Sequence, residues 1–170
     1  MKVKQFAEKL SLWQRIEEAV ARTSVLCATS LLEEIAQIPI HRSRATRRLG
    51  AYVSKGDKPV CIRLQFAQEP DVLEQTFLHE VAHACDHLSC RQQNQPYPGS
   101  HNSSWKHWAQ ALGVETKTSG RSAAVQALHQ QRLKPVAVCQ RCGTEFHRVR
   151  RLNRNRRYIH NQCGGTLQPI

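Results

Sequence analysis

The residues with the most chemistry to offer lie in "FLHEVAHACDHL" (77–88), where His79, Glu80 and His83 spell H-E-x-x-H. On a helix the two histidines stand one turn apart, so both imidazoles reach a single metal ion while Glu80 projects beside them. That set suits metal-assisted hydrolysis, in which the ion acidifies a water and the carboxylate accepts its proton. Five letters with three fixed also describe a solvated helix face carrying two ordinary histidines, so a third ligand decides between the two readings. The best candidate is His101 in "YPGSHNSSWKHWAQALGV" (97–114). The polar, Pro- and Gly-broken stretch 89–100 can carry the chain back toward the motif, and Asn102 or Ser103 can cap a helix through Trp105, Trp108, Ala109 and Leu112 to Gly113. His107 competes for the role but is expected on the exposed side of that helix.

The metzincin extension of the motif is absent, because Asp86 and Ser89 stand where Gly and His would be needed. His87 lies two turns from His79, too far along the axis to share its coordination sphere, and is expected to be a supporting or surface residue.

A second constellation fills "VCQRCGTEFHRVRRLNRNRRYIHNQCGGTL" (138–167). Cys139-x-x-Cys142 followed by His160-x-x-Cys163 makes a closed Cys₃His set, the pattern of a structural zinc ribbon, with His147 as the substitute for His160. Gly143, Gly164 and Gly165 suit turns that bring backbone amides to the sulfurs. Between the pairs lie Arg148, Arg150, Arg151, Arg154, Arg156 and Arg157, with Phe146 and Tyr158 alongside. Guanidinium groups bind phosphates and aromatic rings stack on unpaired bases, so this basic hairpin is expected to contact DNA or RNA. Alternation at 148/150 and 154/156 would place arginines on one face of each strand.

The elements that must position these groups read as follows. Phe6, Leu10, Trp13, Ile16 and Val20 recur at helical spacing and predict an N-terminal amphipathic helix. The stretch 23–39 carries a second helix or extended segment that ends at Pro39. Turns and short strands are expected over 40–59, where Gly50, Gly56 and Pro59 punctuate a basic stretch. Val60, Ile62, Leu64 and Phe66 alternate with Cys61, Arg63 and Gln65, which predicts a half-buried strand whose edge an extended substrate can join. After Pro70, Asp71 and Glu74 form a D-x-x-E capping box for the motif helix, with Leu73, Phe77, Val81, Ala84 and Leu88 as its buried stripe.

At 170 residues with a formal net charge of +12, the chain has room for one core and one small module, and its surface attracts phosphates. No apolar leader or membrane-length run is present, so a soluble protein without membrane partners is expected, cytoplasmic and nucleoid-associated or nuclear. Seven cysteines, three of them at metal-like spacing, suit a reducing compartment. Cys27, Cys61, Cys85 and Cys90 read as plain thiols.

"LHEVAHACDH" followed by "HNSSWKHWAQALGV" resembles the SprT-like metallopeptidase family, whose pattern is H-E-x-x-H and then His, often Gly, two residues and an aromatic. The resemblance takes in "RRLGAYV", "CIRLQF", the cysteine pair and the terminal "CGG", and so covers roughly residues 20 to 170. It departs at Asn102, where the family usually has Gly, and at His160, where the ribbon commonly has Cys. The resemblance implies an α+β fold: a zincin-like metallopeptidase core over 1–114, a linker over 115–135 with one short helix, and a β-rich zinc ribbon over 136–170. By the same resemblance His79, His83 and His101 hold a catalytic zinc, Glu80 is the general base, and a second zinc is structural. Relation to Spartan-type DNA-protein crosslink proteases implies a zinc endopeptidase acting on DNA-associated protein substrates in DNA repair. The alternative is a nucleic-acid-binding regulator whose zinc sites are structural.

Overall fold

In the computed structural model, which describes residues 1–23, 27–99, 101–115 and 120–170, the N-terminal helical stripe is divided between α1 (Val3–Lys9) and α2 (Trp13–Thr23). The single helix expected from the periodicity is broken at Ser11, whose φ is 57°. Ser11 N–H donates to Glu8 O and Leu12 N–H to Ala7 O, the paired bonds of a left-handed helix cap. The break turns Leu12 into the core, where it is buried, as straight continuation would not.

Helix α3 (Ala28–Gln37) follows and ends before Pro39 as expected; residues 24–26 of the stretch expected to carry it lie outside the described residues. Then come β1 (Ile40–Arg42), β2 (Gly50–Lys55) and β3 (Lys58–Leu64), the short strands and turn that the Gly- and Pro-punctuated stretch suggests. Their order is β1-β3-β2, with β1 parallel and β2 antiparallel to β3. This corrects the expectation that β3 offers an open edge: β2 pairs along one side of it, β1 pairs the other over Ile62–Leu64, and β2 has the outer edge nearer the motif helix. The predicted alternation also slips. Ile62 and Leu64 are fully buried, but the register shifts between Val53 and Ser54, opposite Val60, which is 44% exposed. A bulge of this kind leaves the extra residue unpaired and turns it outward.

The motif helix is α4 (Pro70–Gln92), and its start differs from the expected capping box. Glu69 is the N-cap and makes no side-chain cap bond, while Pro70 supplies the preset φ of the first turn and one fewer orphan donor. Asp71 falls inside the first turn, where its charge complements the helix dipole. The Glu69 carboxylate is used elsewhere, accepting from Ala124 N–H at 2.8 Å. Nor is α4 buried along one stripe. From Phe77 to Leu88 every residue except His79 is buried, because α4 packs on β2, β3, α3 and α5 (Ser103–Ala111) together. Phe77 stands edge-on to Phe6 with centroids 5.0 Å apart and anchors this core.

The chain divides into two compact units, Met1–Val125 and Gln126–Ile170. Within the stretch expected as linker, α6 (Ala123–Gln131) is helical, and residues 116–119 lie outside the described residues. The second unit holds an antiparallel sheet of β4 (Lys134–Cys139), β5 (Glu145–Arg148) and β6 (Leu167–Pro169) in the order β5-β4-β6. Its core is small: Val136, Ala137 and Leu152, with Phe146, Tyr158 and Leu167 packed against them. The architecture as a whole is mixed α+β with two small sheets.

The slipped alternation in β3 can be measured. Ile62→Ala should cost about 2–5 kcal/mol in chemical denaturation, while Val60→Ala should change stability by no more than about 0.5 kcal/mol. Equal losses would mean that the alternation continues through Val60.

Candidate metal centres

One turn of α4 carries His79 and His83 to the same side, and α5 begins beside them. Asn102 is its N-cap, the side chain accepting from Trp105 N–H at 2.7 Å, and so has a definite structural use. His101, immediately before this cap, is thereby delivered to the pair. Its Nε2 lies 3.0 Å from His79 Nε2 and 3.2 Å from His83 Nε2. Nitrogens held about 2.0–2.1 Å from one tetrahedral ion would stand about 3.3 Å apart, so the cluster has nearly the size that such an ion needs. Trp105, fully buried, packs against all three rings with centroids 4.3–5.2 Å away and makes an apolar wall behind them. Burial lowers the His79 pKa to about 4 and that of His83 to about 3, with neighbouring imidazoles adding to both, and burial also lowers His101. All three are therefore neutral at pH 7, the state a metal ligand requires. His107 is exposed, as its helical position predicts, and stands outside the cluster.

Several supporting residues were not singled out from sequence. Tyr97 Oη lies 3.2 Å from His83 Nδ1, within hydrogen-bond reach; with Nδ1–H donating to the phenol oxygen, Nε2 is free to ligate. Burial, with Asp86 nearby, pushes the Tyr97 phenol up and keeps it protonated. The signal available in the sequence is a tyrosine held between Pro96 and Pro98 in an otherwise polar loop. His87 is buried rather than at the surface: its Nε2 donates to Gly56 O at 3.1 Å, and its Nδ1 accepts from Tyr52 Oη at 2.7 Å. Asp86 is fully buried between the motif and the third ligand. Burial raises its pKa, opposed by the side chains of Ser104 and Asn102 at the start of α5.

Glu80 faces strand β2. Its Oε2 accepts from Tyr52 N–H at 2.6 Å, and a Cβ on Gly50 would come within 2.7 Å of its Oε1, so only glycine fits where β2 begins. Gln68 keeps this approach in place, donating to Leu49 O at 3.1 Å and accepting from Thr76 Oγ1 at 2.7 Å. Desolvation raises the Glu80 pKa to about 7, against the opposing pull of the Tyr52 amide and Arg48. His79 and Glu80 line one end of a cleft of about 980 Å³. Its floor is the exposed face of α4 at Asp71, Val72, Gln75 and Thr76, positions that share one side of a helix.

The second unit brings Cys139, Cys142, His160 and Cys163 together. Cys163 Sγ lies 3.5 Å from the sulfurs of Cys139 and Cys142, and His160 Nδ1 lies 3.2 Å from those of Cys142 and Cys163. These sulfurs are too far apart for a disulfide, which needs about 2.0 Å, and near enough to share one ion. Hydrogen bonds from Thr144 lower the Cys142 thiol to about 6, and those with the Cys139 and Cys142 sulfurs raise His160. A Cβ on Gly165 would meet Cys139 Sγ at 2.6 Å, and the Gly165 amide approaches Cys163 Sγ at 3.4 Å. His147 points instead to Glu145, 3.8 Å away.

All six arginines between the ligand pairs are exposed, but the hairpin expected to array them is not formed. Only Arg148 is in a strand; 149–158 is an irregular loop, because Leu152 turns into the small core and Asn153 N–H donates to Tyr158 Oη at 3.2 Å. Phe146 and Tyr158 are half-buried against that core, and Phe146 stands edge-on to His160 with centroids 4.9 Å apart.

No family model, curated protein or solved structure matches the chain. Fold and sites by themselves define a mixed α+β protein with two clusters, His₃ and Cys₃His, each able to hold a metal ion. No helix among the described residues is long and apolar enough to cross a membrane.

Tyr97→Phe should weaken metal binding at the three-histidine cluster by about 10–100-fold in chelator competition, with the Cys₃His cluster unchanged. In the second unit, His160→Ala should lower metal affinity on the order of tenfold or more and unfold the ribbon, while His147→Ala should do neither. Metal content and the amide spectrum of the ribbon report both outcomes.

Proposed function

We propose that the chain is a zinc-dependent endopeptidase with a SprT-like, zincin-like core, acting on proteins associated with DNA. The observation that carries this reading is the buried carboxylate of Glu80 lining the same cleft as a neutral imidazole of a three-histidine cluster. A purely structural metal site has no use for such a base, which weighs against the alternative of a nucleic-acid-binding regulator. His79, His83 and His101 would hold a zinc ion, which would supply Lewis acidity to a scissile carbonyl and bring a water's pKa toward about 7. Glu80 takes the proton of that water and returns it to the leaving amine, a task to which a carboxyl desolvated to near neutrality is suited. Tyr97 holds His83 in the ligating tautomer, and Trp105 keeps bulk water from the back of the imidazoles.

The substrate backbone pairs with the outer edge of β2, since β3 is enclosed. Tyr52 N–H already points outward there, to Glu80. The Cys₃His module takes a structural zinc and presents its exposed arginines to nucleic acid phosphates, which concentrates the peptidase on DNA-bound proteins.

The test is cleavage of a DNA-bound protein, with and without DNA, by wild type and by Glu80→Gln. Wild type should cleave, with a stimulation by DNA that fades as salt is added, and Glu80→Gln should retain zinc but lose activity by about 10²-fold or more. Because the base must be ionised, activity should fall with decreasing pH at an apparent pKa at or below 7, the metal's charge drawing the limb downward. Undiminished cleavage by Glu80→Gln would overturn the assignment.

A further inference from the structure

The catalytic cleft has walls that the chemistry above leaves without a task. On one side the chain enters β2 through Arg47, Arg48 and Leu49; on the other stand Gly113, Val114 and Glu115, then Gly120 and Arg121. Arg47, Arg48 and Arg121 are exposed, and none of the three forms an ion pair among the described residues. Two carboxylates also line the cleft. Asp71 belongs to the first turn of α4, two helical turns from His79, where the helix dipole holds its charge. Glu115 has an interaction of its own. Beside His79 and Glu80 the cleft wall carries Arg48, with Arg47 adjoining it in the chain.

A peptide paired with the outer edge of β2 runs past Gly50 and alongside Leu49, Arg48 and Arg47. Successive side chains of an extended chain project alternately to either side. An aspartate or glutamate near the scissile bond then meets a guanidinium fork, whereas a lysine or arginine meets like charge in a partly enclosed cleft. Planar guanidinium groups take carboxylates in paired hydrogen bonds, and low-dielectric walls strengthen both the attraction and the repulsion. A nucleic acid strand in the same space would cover the catalytic carboxylate, which favours a peptide as the occupant.

We propose that Arg47, Arg48 and Arg121 make this cleft an acidic-side-chain recognition site, selecting Asp or Glu close to the bond to be cleaved. The proposal rests on the endopeptidase reading for its substrate, and it concerns binding that can be measured without turnover.

The experiment uses the zinc-loaded full chain as Glu80→Gln and three labelled peptides that differ at one position, carrying Glu, Gln or Lys. Binding is followed by anisotropy, and cleavage of the same peptides is measured with wild type. The expected result is binding of the Glu peptide about tenfold or more tighter than the Lys peptide, with the same order in wild-type kcat/KM. Arg47→Glu combined with Arg121→Glu, which leaves Arg48 beside Glu80, should reverse that order while leaving the zinc content unchanged. Equal binding of all three peptides, or an order that survives charge reversal, would overturn the recognition site. If wild type cleaves them all equally in that case, the endopeptidase reading still stands. Conversely, tight and reversible selection of the Glu peptide with no cleavage by wild type would uphold the site and overturn the peptidase.

Discussion

Three imidazole nitrogens drawn together, that of His101 lying 3.0 Å from His79 Nε2 and 3.2 Å from His83 Nε2, are the constraint to which the larger unit is built. Two of them come from one turn of one helix, but the third must be brought in from another element and held. The cap at Asn102 starts α5 directly after His101, and Trp105, one turn in, closes the back of the cluster. Rings so placed lose much of their hydration, which drives their pKa values down and makes them neutral donors. Tyr97 Oη meets the other ring nitrogen of His83, Nδ1, at 3.2 Å. The same burial that would make a lone polar group costly prepares these groups for a cation.

Desolvation acts with opposite sign on the carboxylate next door. Glu80 is pushed toward neutrality while its neighbours are kept from becoming charged, because burial disfavours whichever form is ionised. What keeps Glu80 usable is the edge of β2. The Tyr52 backbone amide, with Arg48, favours the charged carboxylate, and the absence of a side chain on Gly50 lets the strand come that close. Tyr52 serves twice: its amide meets Glu80, and its hydroxyl meets His87 two turns further along α4. The strand is thus pinned to the helix on both sides of His83, which fixes the height of the cleft wall beside the cluster.

The smaller unit solves a different problem. Val136, Ala137 and Leu152 with three partly buried partners are little apolar surface for a module of this length, and an ion held by the Cys₃His cluster would supply what the core does not. Its arginines are displayed on a loop with little regular structure, held by Leu152 and Tyr158. Phe146 and Tyr158 serve that anchoring, which limits how far their rings are available to a partner.

The local pairs within both clusters were readable from residue type and spacing. One helical turn between His79 and His83, and the paired knuckles of Cys139/Cys142 and His160/Cys163, are short-range relations that local backbone geometry dictates. The capped start of α5 was readable for the same reason. What spacing could not give was anything that depends on distant segments meeting. The pairing of β3 on both sides, the outward turn of Val60, the burial of α4 all round, the collapse of the arginine hairpin around Leu152, and the roles of Tyr52, Tyr97, Asp86 and Gly50 all arise from contacts between residues far apart in the chain. The sequence by itself therefore determined which groups can bind a metal. Only the tertiary structure decided which edge lies beside them, how far they are desolvated and what holds each in its protonation state, because long-range packing sets burial and register, and no local pattern encodes it.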